Sequence, residues 1–302
     1  MTGTGPPGLD PRFKARIGDP LAGVGEPPPV LLPDHAGILA RRAERLTVLA
    51  AGHPMEAWLR FLAGMARAQH AAARDLAAPP LPRAAAGEPP LAELGLGAGW
   101  RAVLAALLHP SGDAPSATEA ACAALRDASA DAQEALAAAY LRQEVPPGQA
   151  GAALFAAAAL QVWYVRAAAA LDGAAIALLT QPGRCPACGF APVAGVVTAA
   201  GAAPGTRYLH CGLCATAWNH MRAVCTGCGE AGGLVLQQIE GGSEAAKAET
   251  CTHCRGYSKL FYQAQDMGVE PLADDLATLG LDLLVSEAGF DRLSPSPLMI
   301  GG

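Results

Sequence analysis

Aromatic side chains are scarce in this sequence, 5% of 302 residues, and charged ones make up only 16%. There is no phosphate-binding loop, no Rossmann glycine pattern, no GxSxG and no HExxH, so the common nucleotide-binding and hydrolase motifs are excluded. The opening stretch MTGTGPPGLDPRFKARIGDP lacks a continuous apolar segment and a twin-arginine pair, which leaves no visible export signal. The most apolar stretch, 151–179, is interrupted by Arg166 and Asp172. A bilayer span needs roughly 20 consecutive apolar residues, so this segment predicts a buried helix. These absences together predict a soluble, cytoplasmic protein that is not an integral membrane protein. With 21 Lys and Arg against 27 Asp and Glu the net charge is −6, which argues against a general phosphate binder.

What is present is ample material for a core, since 52% of residues are hydrophobic, and this excludes wholesale disorder. Most of the early Pro and Gly falls in residues 1–33, which read as an extended arm. Asp34 is placed to cap a helix beginning near His35, with Ile38, Leu39, Leu46 and Leu49 on its apolar side and Arg41, Arg42 and Arg45 on a basic one. Pro54 suits the first position of a second helix. Trp58, Phe61, Leu62 and Met65 there form one stripe, expected to pack internally. After a Pro/Gly-rich connector at 77–98, helical segments are expected at about 99–109, 116–127, 129–142 and 149–180, with Ser116 and Thr118 as caps for the second of these. At Gln181 the character changes to short β-like pieces, VAGVV, RYLH, LVLQQIE and KLFYQ, separated by Gly and Cys as far as residue 264. Leu272, Leu276, Leu279 and Leu283 then mark one amphipathic helix, with Gly289 as its stop.

The expected class is α+β, with an all-α helical N-terminal body followed by two tandem rubredoxin-like or zinc-ribbon β modules and a C-terminal helix. The boundaries read as an arm at 1–33, a helical domain at 34–181, a first metal module at 182–224, a second at 225–264, and a helix and tail at 265–302.

Eight of the nine cysteines form four CxxC pairs: Cys185/Cys188, Cys211/Cys214, Cys225/Cys228 and Cys251/Cys254. Adding 40 to each of the first four positions gives the second four, so the unit C-x2-C-x22-C-x2-C occurs twice in tandem. A CxxC turn lets both thiolates face one ion, and two such knuckles complete a tetrahedral shell of four sulfurs. Gly189 and Gly229 follow a knuckle and ease its tight turn, whereas Ala215 and Arg255 stand at the corresponding positions of the other two. The segment has few large apolar side chains, so bound metal must supply much of its folding energy. Disulfides fit poorly with a cytoplasmic chain, and a dithiol enzyme uses a single reactive CxxC at a helix start. Neighbouring knuckles are expected to pair, 185/188 with 211/214 and 225/228 with 251/254, the alternative being a cross-braced arrangement. Sulfur ligation admits either zinc or iron. A closed shell leaves no position for substrate, so no catalytic residue is assigned. His210, His220 and His253 read as neighbours of the shells rather than ligands, and Cys122 as a small core residue. Asp274 and Asp275 fall in the first turn of the last helix, where carboxylates suit the helix dipole.

RYLHCGLCATAWNHMRAVCTGC (207–228), KAETCTHCRGYSKLFYQ (247–263) and ADDLATLGLDLLVSEAGF (273–290) resemble the formate dehydrogenase accessory protein FdhE family. PPPVLLPDHAGILARRAERL (27–46) and HPMEAWLRFLAGMARAQH (53–70) resemble that family's opening helices. Two places depart from the family's pattern: Ala217 before Trp218, and Ser296–Pro297 where Asn-Pro is usual. The resemblance implies a cytoplasmic, non-catalytic maturation factor for respiratory formate dehydrogenase that contacts the enzyme's catalytic subunit before export. It also implies two rubredoxin-like iron sites held by all eight paired cysteines, zinc being the alternative. Arg41, Arg42 and Arg45 are candidates for contact with an acidic partner segment. Two other classes are an ordinary rubredoxin-type electron carrier and a nucleic-acid-binding ribbon. The second is weak, because residues 184–264 carry six Lys or Arg against four Glu, too little for phosphate neutralisation.

Overall fold

The computed structural model describes residues 26–85, 87–109, 115–181, 183–201 and 203–299. The greater part of the arm, 1–25, lies outside these residues. Its end forms a short strand, β1 (Val30–Leu31), so the chain enters the fold as sheet before it turns helical.

Among the described residues six helices follow: α1 (Ile38–Ala50), α2 (Glu56–Arg74), α3 (Gly97–Leu107), α4 (Ser116–Asp127), α5 (Ala130–Leu141) and α6 (Ala150–Ala168). α1 starts at Ile38 rather than near His35. Asp34 uses its side chain to accept the Ala36 N–H and its carbonyl to receive Gly37 and Ile38, which takes up one turn before the helix proper. Likewise α2 begins at Glu56, past Pro54. α4 has Pro115 at its N-cap with no side-chain cap bond, and the expected caps Ser116 and Thr118 lie within the helix. The stripe on α2 packs inward as expected, with Phe61, Leu62 and Met65 buried and Phe61 meeting Phe155 edge-on at 6.5 Å.

α6 is the axle of the body. It is buried on nearly every side, which its all-round apolar composition requires. Among the described residues it is the one helix long and apolar enough to cross a membrane, and 78% of that window is buried inside the protein. Gly99 of α3 makes room for Trp163 of α6, since a Cβ there would stand 2.5 Å from that ring. The helix ends at Ala168, not near residue 180. Asp172 accepts the Ala174 N–H and starts a 3-10 turn at Gly173–Ala175, a local bond that competes with helix continuation.

The cysteine-rich half forms, among the described residues, one eight-stranded sheet with the order β1-β4-β3-β2-β7-β6-β5, and β8 beside β7. Its strands are β2 (Pro192–Val197), β3 (Arg207–Cys211), β4 (Ala217–Asn219), β5 (Leu234–Gln237), β6 (Ala246–Cys251), β7 (Gly256–Tyr262) and β8 (Asp291–Arg292). β2, β3 and β4 are an antiparallel meander carrying the first cysteine set, and β5, β6 and β7 a second meander carrying the other. The parallel pairing of β2 with β7, Gly195 against Leu260 to Val197 against Tyr262, fuses the two. The architecture is α+β, a helical body against two tandem β modules that each carry four clustered cysteines, with helices at the C-terminal end.

The C-terminal helix is two helices, α7 (Pro271–Ala277) and α8 (Leu279–Glu287). Thr278 breaks it by hydrogen bonding its hydroxyl back to the Asp274 and Asp275 carbonyls. The phase of burial shifts at the break, so Leu281 and Val285 are buried while Leu283 is 68% exposed. Gly289 ends α8 in the left-handed region, φ 81°, as expected of a C-terminal glycine.

Candidate metal centres

The CxxC turns close alike. In three of them the first cysteine's N–H bonds the carbonyl five residues on, Cys185 to Phe190, Cys211 to Thr216 and Cys225 to Glu230, at 2.9 to 3.0 Å. The residue after each second cysteine is left-handed: Gly189 (φ 77°), Ala215 (57°), Gly229 (76°) and Arg255 (59°). The 40-residue sequence repeat is thus a repeat of backbone conformation, and two of the four positions lack the residue that adopts it freely. The left-handed region disfavours a Cβ by about 1–2 kcal/mol, partly offset by glycine's greater chain entropy. Ala215→Gly is therefore expected to stabilise the metal-loaded protein by up to about 1 kcal/mol, read as a higher urea midpoint.

These turns gather the sulfurs into two groups, Cys185, Cys188, Cys211 and Cys214, and Cys225, Cys228, Cys251 and Cys254, each with all four Sγ atoms within 4.8 Å of one another. Neighbouring knuckles pair; the cross-braced arrangement is not the one adopted. Sγ–Sγ distances are 3.6 Å (185–214), 3.5 Å (188–211) and 3.8 Å (225–254 and 228–251). A disulfide needs about 2.05 Å. A metal–sulfur bond of about 2.3 Å gives a tetrahedron with an edge of about 3.8 Å, so each group has the dimensions of a four-sulfur metal shell. Backbone N–H groups already point at the sulfurs, Leu213 and Cys214 at Cys211 Sγ and Gly227 at Cys225 Sγ, all at 3.4 Å.

The electrostatics of both groups suit a bound cation. Burial pushes the Cys185 and Cys188 thiols well above their ordinary range. Cys214 suffers the same burial, yet hydrogen bonds from the other three thiols and Thr216 pull it well below. In the second group burial raises Cys225 to about 12, while Cys251, against its own burial, is brought down to about 7 by the backbone N–H groups of Cys254 and His253. Burial works against charge on these clustered thiols, and a bound cation would favour the thiolate form. Neither group includes a histidine. His220 bonds the Val224 carbonyl at 2.9 Å, and burial depresses His210 to about 4.

The surroundings of the two groups differ. The first belongs to the main hydrophobic core, with Cys185, Ala187, Cys188, Cys211, Leu213 and Cys214 continuous with the helical body. Leu91 N donates to Ala187 O at 2.8 Å, and Gln161 Nε2 of α6 donates to Gly212 O at 2.8 Å. Gln161 Oε1 in turn accepts from Gln69 of α2 and Arg42 of α1, and Arg42 reaches Glu270 at 3.1 Å. A buried polar chain thus ties α1, α2, α6 and the start of α7 to one metal knuckle. Its one legible trace in the sequence is Gln161, a polar residue in the most apolar helix. In the second group Cys228 and Cys254 are exposed.

The basic side expected on α1 is not an open face. Arg42 is buried on Glu270, and Arg45 binds Asp274 and Asp266 at 2.6 Å. Of the three, Arg41 faces solvent, paired with Asp34. The reason is that α7 and the loop before it place their acids against α1. Asp274 and Asp275 point to different partners: Asp274 to Arg45, and Asp275 to Lys259 and Arg292. They do not form a carboxylate pair. Cys122 lies fully buried in α4.

Family profiles match almost the whole of the described chain: "FdhE, N-terminal" over residues 27–180, "FdhE, central domain" over 184–222 and "FdhE, C-terminal domain" over 223–299. The chain belongs to the FdhE family. It is 39% identical to the FdhE homolog of Edwardsiella ictaluri over 91% of this chain and 92% of that one. It is 35% identical to the homolog of Rhizobium meliloti over 93% and 96%. The crystal structure of the FdhE protein from Pseudomonas aeruginosa superposes with a TM-score of 0.80 at 36% identity, covering 91% of this chain and all of that one. The FdhE profiles divide the chain at 180/184 and 222/223, so the family's central unit contains the first cysteine group and its C-terminal unit the second.

Proposed function

We propose that this FdhE-family chain is a non-catalytic cytoplasmic factor needed for active respiratory formate dehydrogenase, which it serves by binding the immature catalytic subunit before export. The observation that carries this reading is the pair of four-sulfur groups built into a body of this family; a metal held by four sulfurs would have no open position for a substrate. Cys185, Cys188, Cys211 and Cys214 hold one metal ion, and Cys225, Cys228, Cys251 and Cys254 hold the other. Iron is the ion the family resemblance favours. In such a shell iron supplies one-electron redox chemistry, whereas zinc supplies structure alone. The protein's own part is to place backbone N–H groups on the sulfurs, to exclude water from the first group and to present a surface to the client. Of the three arginines on α1, Arg41 alone is free enough of the interior to take part in that surface. The negative net charge speaks against a nucleic-acid partner.

The experiment is restoration of formate dehydrogenase activity in a host lacking its own factor, together with capture of the catalytic subunit by the tagged chain. The expected result is restored activity and a co-purifying catalytic subunit. A Cys185→Ser/Cys225→Ser form that stays folded and fully restores activity would overturn the role of the metals.

A further inference from the structure

We propose that the two centres divide their labour: the second is an exchangeable site whose metal enters and leaves past Cys228 and Cys254, and the first is a sealed structural site. This rests on the reading of the eight cysteines as ligands, and adds which of them a partner or an incoming ion can reach.

Three independent features of the structure point to it. The first is exposure of the sulfurs. All four cysteines of the first group are buried, whereas Cys228 and Cys254 of the second, one from each knuckle, are exposed. The second is where they lead. Both line a cleft of about 760 Å³ between the modules, whose walls include Arg184, Thr226, Ser258 and Arg292. These polar side chains, set among apolar ones, give water and hydrophilic ligands a path to the two cysteines.

The third is the cover. The first group is enclosed by the helical body through Leu91, Gln161 and the main core. The second module has a small core around Tyr257 and Leu281 that is separate from that main core, and it shares another, around Phe261, with Val193, Ala194 and Val196 of β2. Over the second group lies chiefly the half-buried side chain of Leu293, from the segment after β8. A Cβ on Gly227 would stand 2.5 Å from this leucine, and one on Gly256 2.3 Å. Those glycines leave the room in which Leu293 rests on both knuckles. The Leu293 side chain can move without opening the main core, while opening the first group means breaking that core.

When the site is loaded, an incoming ligand would reach Cys254 and Cys228 first, while Cys225 and Cys251, anchored beside a β-bridge and at the end of β6, would hold the ion longest. Ligands are substituted and protons return to the thiolates, and nothing is oxidised or reduced.

The test uses the full-length chain loaded with zinc, whose content is measured first. Two equivalents per chain sustain the ligand reading by themselves; fewer than two overturn it. The chromogenic chelator 4-(2-pyridylazo)resorcinol is then added, and iodoacetamide labelling is followed by peptide mass spectrometry. The expected release is one fast equivalent and one slower by at least about tenfold, with Cys228 and Cys254 labelled first. Leu293→Ala is expected to quicken the fast equivalent and leave the slow one unchanged. A single phase releasing two equivalents, or labelling of the first group at the rate of the second, overturns the proposal. So does a Leu293→Ala form that accelerates both phases equally.

Discussion

Cys185→Ser with Cys214→Ser is expected to unfold the helical body together with the sheet, whereas Cys228→Ser with Cys254→Ser leaves the body folded. This is the largest effect expected of any paired substitution in the protein. A structural metal contributes about 10–16 kcal/mol in small zinc domains, as much as the whole stability of an ordinary domain, about 5–15 kcal/mol. The two groups apply that energy to different structures. The first group's sulfurs sit in the same core as Trp100, Phe155 and Leu160, so its loss leaves cavities and unpaired thiols beneath α6. Gln161 then loses the ordered carbonyl of Gly212 and, with it, the far end of the chain through Gln69 and Arg42. The second group belongs to a module with a small core of its own, around Tyr257, Leu281 and Phe290, and another shared with β2. Tryptophan fluorescence reads the difference, because Trp58, Trp100 and Trp163 all lie on the helices. Equal loss of that signal in both variants would show that the modules do not fold separately.

Asp275→Ala is expected to remove about 3–5 kcal/mol, the usual result of stripping one partner from a buried ion pair. Asp275 and Lys259 are both wholly buried, 3.1 Å apart, and Asp275 also meets Arg292. Lys259 and Arg292 share a second acid, Asp282, which accepts the Tyr257 hydroxyl as well. Without Asp275, two buried cations face one carboxylate. The double variant Asp275→Leu/Lys259→Met should lose less than the sum of its parts, since the unpaired charge is what destabilises.

The pH dependence has a definite sign. Burial opposes the charge on Asp275, but Lys259 and Arg292 outweigh it and hold its pKa below the ordinary 3.8. A carboxyl depressed in the folded state stabilises fully above its unfolded pKa, and that contribution fades as pH falls through the folded one. The gap in denaturation midpoint between wild type and Asp275→Ala should therefore hold steady from neutral pH to about pH 4 and shrink below it. A gap unchanged under acid would mean that the fold does not depress the pKa of Asp275.

The ion pairs explain why the C-terminal acids read ambiguously in sequence. ADDL could be recognised as a helix start, and Glu270 does cap it by accepting the Ala273 N–H while Asp274 returns a bond to the Glu270 N–H. Nothing local says that Asp274 reaches back to Arg45 and Asp275 to Lys259, because those partners lie on other elements. The same distance in sequence hid the fate of Arg42. Helical spacing put Arg41, Arg42 and Arg45 near one another, but only the packing of α7 against α1 decided that two of them turn inward. Thr278 was hidden for a different reason: leucine periodicity runs through it, and its bonds back to the previous turn show only once the chain is folded.

The sequence by itself determined the cysteine pairs. Four CxxC pairs at a 40-residue repeat mark the eight thiols and favour pairing of neighbouring knuckles, since a CxxC turn is local geometry that spacing records directly, while the folded chain decided against the cross-braced pairing. The sequence also determined the helical body, the change to sheet after residue 181 and the internal stripe on α2. The tertiary structure alone decided that β2 and β7 pair in parallel, so that the two modules form one sheet. It alone decided that one centre lies within the main core while the other opens to a cleft. The two repeats carry the same cysteines at the same spacing. What separates them is the helical body, which can bury only the side against which it packs.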